Sequence, residues 1–119
     1  IMGIREEIAD KTFYHIEWDS NKKFQGEWTS TLIGKYLYNC NTKRIISASS
    51  PTITFDSHFG SAFSPEFNNI NTDYSLSKSG TRLTFKGSYD VNSTLDIPVG
   101  DFEIGYPINF GSFRDVFDV

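Results

Sequence analysis

Three residues that can bind a metal ion or transfer a proton follow each other at intervals of two: His15, Glu17 and Asp19. In an extended strand such residues share one face and lie about 7 Å apart, close enough to hold one metal ion or one proton between them. The alternating row between Tyr14 and Trp18 is apolar. Because a half-buried strand usually turns its polar face to water, the pattern favours a solvent-facing row for the three polar residues and a buried row for the apolar ones. A metal site or an acid–base group inside a barrel mouth is the alternative.

A second candidate pair is Asp56 and His58, in which the carboxylate can orient an imidazole for base catalysis. The nucleophile would have to be Ser57, Ser61 or Cys40, and no motif nominates any of them. A surface histidine bonded to its own loop is therefore the favoured interpretation. Because the sequence has a single cysteine, it cannot form a disulfide within the chain.

The sequence contains no zinc-type spacing of Cys and His, no glycine-rich phosphate loop, no nucleophile elbow and no aspartate-rich calcium loop. An enzyme of this size normally shows at least one such group of polar residues. We therefore expect no catalytic residues, no bound metal and no cofactor, and favour a non-enzymatic function.

Aromatic side chains are the remaining candidates, since the sequence has 11 Phe, 6 Tyr and 2 Trp. If the strands that carry them pair in sequence order, several rings line one surface and provide a platform for sugar rings or a pocket for an apolar ligand. The alternative, which a small β domain favours, is that these rings form the core. The predicted ligand-binding residues are Trp28, Tyr36, Tyr38, His58, Phe59 and Phe63.

Apolar residues at every second position predict an antiparallel meander over residues 71–99, interrupted at 78–80 and again at 92–93. Its apolar row includes Leu83, Phe85 and Tyr89, which we expect to be buried. A hairpin is predicted earlier, with strands over residues 11–18 and 23–32. Gly26 inside the second strand indicates a bulge or a close contact with a ring.

Three short segments have helical spacing. Residues 3–9 predict an N-terminal turn, and Ser64 followed by Pro65 predicts the start of a single turn that ends near Asn69. Residues 110–117 are compatible with a short C-terminal helix or with a terminal strand. Between strands, Gly100 and Asp101 predict a tight turn, and Pro98 is expected at an edge or strand end because it has no N–H to donate.

These elements predict one all-β domain over residues 1–119, with roughly eight to ten strands and short helical turns at the termini. The architecture is a small antiparallel β-barrel or a two-sheet sandwich, and the hairpin-length connections favour the barrel slightly.

The formal net charge is −4, and lysine and arginine occur singly or in pairs. Nucleic acid and anionic membranes are therefore not expected as partners, since phosphate groups are bound by clustered positive charge. No apolar run approaches the length of a membrane span, and no signal segment is visible. A basic protein or a neutral ligand fits better. The triplet Asn92-Ser93-Thr94 matches a glycosylation sequon.

Residues 52–55 with Phe59, Phe63 and Pro65, followed by the Ser-Gly turn in residues 74–81, resemble the middle of H-type lectin domains and of some phage tail-tip domains. Those domains are small β-sandwiches that bind glycans, often as trimers. The resemblance covers about a third of the chain. It lacks the paired prolines and apolar strand of those domains, because residues 66–69 read Glu-Phe-Asn-Asn instead.

Three functions are compatible with the sequence. The first is a non-catalytic domain that binds a glycan or a protein surface. The second is a lipocalin-like barrel that holds a small apolar molecule, with isomerase or lyase chemistry by His15 and Glu17. The third is a small acidic inhibitor or immunity-type protein. The sequence indicates neither the compartment nor the oligomeric state.

Overall fold

The computed structural model of this protein describes residues 3–119 as two antiparallel β-sheets packed face to face. The strands are β1 (Ile4–Trp18), β2 (Gln25–Asn39), β3 (Arg44–Ala48), β4 (Thr52–Ser57), β5 (Phe63–Leu76), β6 (Leu83–Val99) and β7 (Phe102–Asp118). In sheet A, β2 pairs with β1 on one edge and with β3 and then β4 on the other; sheet B has the order β5-β6-β7. Within the described residues, no helix is long and apolar enough to cross a membrane.

The architecture confirms the all-β prediction and is a sandwich. The two sheets share no hydrogen-bonded strand pair, so the barrel alternative is wrong. Residues 3–119 form seven strands, fewer than the predicted eight to ten, because β6 runs without interruption through Asn92 and Ser93, where we expected a turn. Ser93 pairs with Pro65 on one side and Ile108 on the other, and this pairing keeps the segment extended.

Alternation along β6 determines which of its residues are buried. Leu83 and Phe85 are completely buried and Tyr89 is 1% exposed, as predicted. Thr84, Lys86 and Ser88 alternate with them on the outer side of sheet B and are half-buried. On β2 the same alternation buries Trp28 and Leu32 completely. The inner faces of β2 and β6 therefore meet in the middle of the sandwich.

The predicted helical turns are wrong, because a spacing of four residues fits a strand as well as a helix. Ile4 and Ile8 lie on one side of β1, and Phe63 and Phe67 lie on one side of β5. Pro65 is accommodated between them in β5 rather than at a helix start. In each case pairing with a neighbouring strand supplies the backbone hydrogen bonds that a short helix would leave unmade at its ends.

A bulge explains the helix-like spacing near the C-terminus. The β6–β7 register shifts between Val91 and Asn92, and Gly111 adopts a φ of 99° at this point. The shift changes which residues face inward, so that Phe110 and Phe113 are both on the inner side although they are three positions apart. Of the two C-terminal alternatives, the structure therefore has the strand.

Aromatic rings fill the space between the sheets. The buried cluster is Trp28, Tyr89, Val91, Ile108 and Phe110. Phenylalanines from both sheets surround it, and the rings of Phe55 and Phe67 stack with centroids 4.2 Å apart. Glycine makes room where rings approach the backbone. A Cβ at Gly26 would lie 2.6 Å from the Phe59 ring, which confirms the predicted close contact with a ring.

The two sheets are offset along their length, and the molecule measures 69 × 23 × 19 Å. Phe13 of β1 packs on Phe117 near the C-terminal end of β7, so the first residues of β1 extend beyond the end of β7. At the opposite end, the loop after β1 bonds to β7 through Ser20 N–H and the Asn109 carbonyl, 2.8 Å apart. The β6–β7 hairpin continues past this point without sheet A beside it.

Replacement of Gly34 tests the packing of the two sheets. A Cβ at Gly34 would collide with the ring of Phe85, which is completely buried and cannot move aside. We expect Gly34→Ala to lower the free energy of unfolding in urea by about 1–3 kcal/mol, the usual cost of overpacking. Gly60→Ala is the control, because its Cβ would lie 3.3 Å from the nearest atom, in Phe63. Equal effects of the two substitutions would contradict the packing described here.

Candidate functional site

The register of β1 against β2 places His15 and Glu17 on the inner face of sheet A. His15 pairs with Trp28 and Glu17 with Gly26, and both partners face sheet B. The prediction that His15 and Glu17 face water is therefore wrong, and the side chain of His15 is only 16% exposed. The apolar row of β1 lies on the outer face instead, where Tyr14 is 82% exposed.

His15 is held between two carboxylates. Its Nε2 atom lies 2.9 Å from Oδ1 of Asp115, and its Nδ1 atom lies 3.1 Å from Oε2 of Glu17. The imidazole also stacks on the indole of Trp28, with ring centroids 5.1 Å apart and an interplanar angle of 20°. The ring is therefore fixed by both of its nitrogens and by one of its faces.

Asp115 collects hydrogen bonds from both sheets. Besides His15 it accepts one from the hydroxyl of Ser30 in sheet A and one, at 2.8 Å, from the hydroxyl of Tyr89 in sheet B. The Tyr89 oxygen in turn accepts from the indole N–H of Trp28 at 3.1 Å. Burial raises the pKa of Tyr89 above its ordinary value of 10.0, so the hydroxyl stays protonated and donates to the carboxylate. This network is a polar connection across the core.

The arrangement does not match a nucleophilic triad. In such a triad the imidazole stands between the nucleophile and the carboxylate, whereas here Asp115 stands between Ser30 and His15. Both nitrogens of His15 are already bonded to carboxylates, so neither is free for a metal ion. Among residues 3–119 no group of three or more His, Cys, Asp or Glu side chains has a geometry that could hold one.

Substitution of Asp115 measures what the network contributes to stability. Asp115→Asn removes the charge and one acceptor, and leaves buried donors of Ser30, Tyr89 or His15 unpaired. We expect it to lower the free energy of unfolding by about 1.5–3 kcal/mol. Asp101→Asn, at an exposed turn, should change it by less than about 0.5 kcal/mol. If Asp115→Asn is as stable as the wild-type chain, the network does not hold the sheets together.

Asp19, the third residue of the predicted polar row, is not part of this network. Its carboxylate accepts hydrogen bonds from the N–H groups of Phe24 at 2.8 Å and Lys23 at 2.6 Å, and closes the loop between β1 and β2. The bond from Phe24 is the largest cause that holds the pKa of Asp19 below its ordinary value of 3.8. The predicted turn at residues 19–21 is confirmed, and Asp19 is its structural anchor.

The lowered pKa of Asp19 predicts a pH dependence of stability. The ionised carboxylate stabilises the folded chain at pH values above the ordinary pKa, and this stabilisation is lost as the pH falls through the lower pKa of the folded state. We therefore expect the free energy of unfolding to fall less steeply between pH 5 and pH 3 in Asp19→Asn than in the wild-type chain. Parallel curves in the two proteins would show that Asp19 is not the anchor of the loop.

The outer face of sheet A carries a shallow pocket of about 160 Å³. Tyr14 and Ile16 of β1 and Glu27 and Thr29 of β2 point outward by the alternation of their strands and line it. His58 completes the lining, because its N–H continues the β4 ladder by donating to the Glu27 carbonyl at 2.9 Å. His15 and Trp28, on the same two strands, also line it. An exposed ring thus lies beside a carboxylate, a hydroxyl and an imidazole.

His58 also forms the predicted pair with Asp56, with Nε2 and Oδ2 3.5 Å apart. Both side chains are more than half exposed. Cys40, one of the predicted nucleophiles, follows the far end of β2, while His58 lies beside Glu27 near the start of that strand. At 3.3 Å per residue the two are roughly 40 Å apart. The pair is therefore part of a surface and not of a thiol site.

The predicted ligand-binding residues lie in three different places. Trp28 is completely buried in the core, and Phe59, whose ring is 6.3 Å from that of Trp28, and Phe63 pack against the same cluster. Tyr36 and Tyr38 are half-buried on the inner face of sheet A, at the end where Ile45, the partner of Tyr38, donates its N–H to the Gly80 carbonyl of the β5–β6 turn at 2.8 Å. Of the six, only His58 contributes an exposed side chain to the pocket on the outer face.

Sequence reasoning missed the outer row of Tyr14, Ile16 and Trp18, which are 82%, 61% and 56% exposed. The signal that could have identified this row was in β2. Gly26 shares a face with Trp28, and its predicted close contact with a ring indicates that this face is the inner one. The register of the β1–β2 hairpin then determines the faces of β1. This register depends on the length of the loop after Trp18, which composition does not reveal.

Comparisons with known proteins indicate no function, so the functional proposal is based on the geometry of the site. The chain matches no family model, no curated protein and no solved structure at a significant level.

Proposed function

We propose that this protein is a non-catalytic binding domain that holds a glycan on the outer face of sheet A. The observation that carries the proposal is the ring of Tyr14, 82% exposed beside the pocket described above. An exposed ring packs against the apolar C–H face of a sugar, and neighbouring polar groups bond its hydroxyls. The side chains of Glu27, Thr29 and His58 supply such groups within one pocket.

The row of exposed side chains extends the surface along one strand. Ile16 and Trp18 follow Tyr14 at two-residue intervals on the same face, and Ile8, 61% exposed, precedes them. Single exposed apolar residues are ordinary, but several on one face of one strand indicate a binding surface. An extended ligand such as an oligosaccharide chain would contact more of this row than a single sugar.

The other functions expected from the sequence have less support. A lipocalin-like site needs a closed barrel around a cavity, whereas this sandwich is open and rings occupy the space between its sheets. The isomerase or lyase chemistry assigned to His15 and Glu17 needs an imidazole nitrogen that is free to accept a proton, and both are bonded. Recognition of a protein surface is supported by a different part of the molecule, described in the next subsection.

A glycan array probed with the fluorescently labelled chain tests the proposal. We expect a restricted set of oligosaccharides to bind, and Tyr14→Ala to weaken that binding by about tenfold, which corresponds to about 1.4 kcal/mol. Because Tyr14 is exposed, the same substitution should leave the free energy of unfolding nearly unchanged.

Titration of the best oligosaccharide should change the fluorescence of Trp18, which is exposed, and the change should be absent in Trp18→Phe. Trp28 is buried and should not respond. Val116→Ala, at an outward-facing apolar residue of sheet B, is the matched control. The proposal fails if no glycan distinguishes the wild-type chain from Tyr14→Ala.

A further inference from the structure

The end of the β6–β7 hairpin is a two-stranded ribbon with one uncovered apolar face. We define the ribbon as residues 96–106; β5 begins opposite Leu95, so the ribbon has no third strand. Its apolar face consists of Ile97, Val99, Phe102, Ile104 and Tyr106, which are 40%, 51%, 77%, 55% and 44% exposed.

This face continues the surface that sheet B turns toward sheet A. Leu95 packs against the core, and Ile97 and Val99 follow it at two-residue intervals on the same side of β6. Sheet A ends where Ser20 bonds to Asn109, and the tip of the ribbon lies about 23 Å beyond Asn109. The ribbon therefore presents core-type side chains to solvent, and an isolated pair of strands is only marginally stable in water.

Prolines make the addition of another strand to the ribbon less favourable: Pro98 lies on its β6 edge, and Pro107 directly follows it on the β7 edge. The Asp96 N–H donates to the Ala62 carbonyl, at 2.9 Å, so it points away from β7. Two residues further on, the nitrogen of Pro98 points in the same direction and has no hydrogen to donate. Thr94 and Pro107 form the same type of antiparallel pair as Asp96 and Gly105, in which the backbone nitrogens point away from the partner strand. The nitrogen of Pro107 therefore faces the free edge of β7. The prolines therefore disfavour pairing at the edges relative to contact with the face of the ribbon.

The charge of the ribbon indicates the chemistry of that partner. Asp96 and Glu103 lie on the polar face, Asp101 lies in the turn, and residues 87–113 contain no lysine or arginine. A second ribbon from another copy of this chain would bring the same negative charges. The contact between the two ribbons would also be too small, because a face of about 17 by 10 Å covers far less than the roughly 800 Å² per partner of a stable interface.

We propose that the ribbon docks into a cleft of a partner protein that has an apolar wall and a wall or rim of lysine and arginine. The apolar face would be covered by the first wall, and Asp96, Asp101 and Glu103 would meet the basic groups. Insertion into a cleft buries both faces of the ribbon, about 340 Å² in all, which is twice the area of one face and corresponds to a small, transient interface. The acidic character of the whole chain, with a net charge of −4, favours the encounter with a basic partner. This surface is separate from the proposed glycan site and does not depend on it.

Photo-crosslinking from defined positions tests this inference. Benzoylphenylalanine is placed at 104, on the apolar face, or at 103, on the opposite face, and each chain is exposed to extract of the source cells. We expect residue 104 to crosslink one protein repeatedly, and residue 103 to crosslink the same protein at a different, lysine- or arginine-rich segment. Crosslinking of unrelated proteins from the two positions would overturn the proposal.

The identified protein is then purified and its affinity for the ribbon variants is measured. We expect Phe102→Thr with Ile104→Thr, which keeps residues that favour strands, to raise the Kd at least tenfold. Glu103→Lys should weaken binding and reduce its salt dependence. Ile70→Thr, at a 50% exposed apolar residue of β5, is the matched control and should bind as the wild-type chain does. Affinities unchanged by all three ribbon substitutions would overturn the proposal.

Two measurements identify other occupants of the apolar face. Sedimentation at micromolar concentration shows whether a second copy covers it, in which case the wild-type chain is a dimer and the double threonine variant is a monomer. Flotation with phosphatidylcholine vesicles shows whether lipid covers it. If the chain dimerises or floats with vesicles, and the double substitution abolishes this, the occupant is a second copy or lipid and not a protein cleft. A monomer that does not float supports the protein cleft.

Discussion

The packing of the Trp28 indole is the interaction on which the rest of the structure depends. Its ring contacts aromatic side chains from both sheets, including His15 of sheet A at 5.1 Å and Phe113 of sheet B at 4.9 Å between centroids, and its N–H donates to the hydroxyl of Tyr89. That hydroxyl bonds to Asp115, which also accepts from His15 and Ser30. The Trp28 side chain thus joins the apolar core to the polar connection between the sheets. The core and the polar connection both require that the face of β2 that carries Trp28 is the inner face.

The inner position of Trp28 determines the outer surface of the molecule. Because β1 pairs with β2 in a single register, placing His15 opposite Trp28 turns Tyr14 outward. A shift of that register by one residue would exchange the two faces, and would bury Tyr14 while exposing His15. The proposed glycan surface is therefore a consequence of core packing. Of the rings expected to form a binding platform, Trp28, Phe59 and Phe63 contribute to the core, because a small β domain needs large apolar side chains in its interior.

The offset between the two sheets has a similar effect at the end of the molecule. If sheet A were as long as sheet B at this end, it would cover residues 96–106, and their apolar alternation would be ordinary core patterning. Since it stops near Asn109, the same alternation produces a surface. Pro98 lies on one edge of this segment and Pro107 directly follows it on the other, and prolines at edges are a usual way in which exposed strands are kept from pairing with other chains. The structure thus has two apolar surfaces of different origin, one on each sheet.

The sequence alone determined the all-β class, the inward row of β6 from Leu83 to Tyr89, the hairpin turn at Asp19 and the close contact at Gly26, because alternation and turn chemistry are local properties. It did not decide between strand and helix where apolar residues are four apart, since both periods fit that spacing. Only the tertiary structure decided which face of β1 is buried, where the bulge at Gly111 exchanges the faces of β7, and how far the sheets are offset. Each of these depends on register between strands distant in the chain, and a register is set by packing that no short stretch of sequence contains.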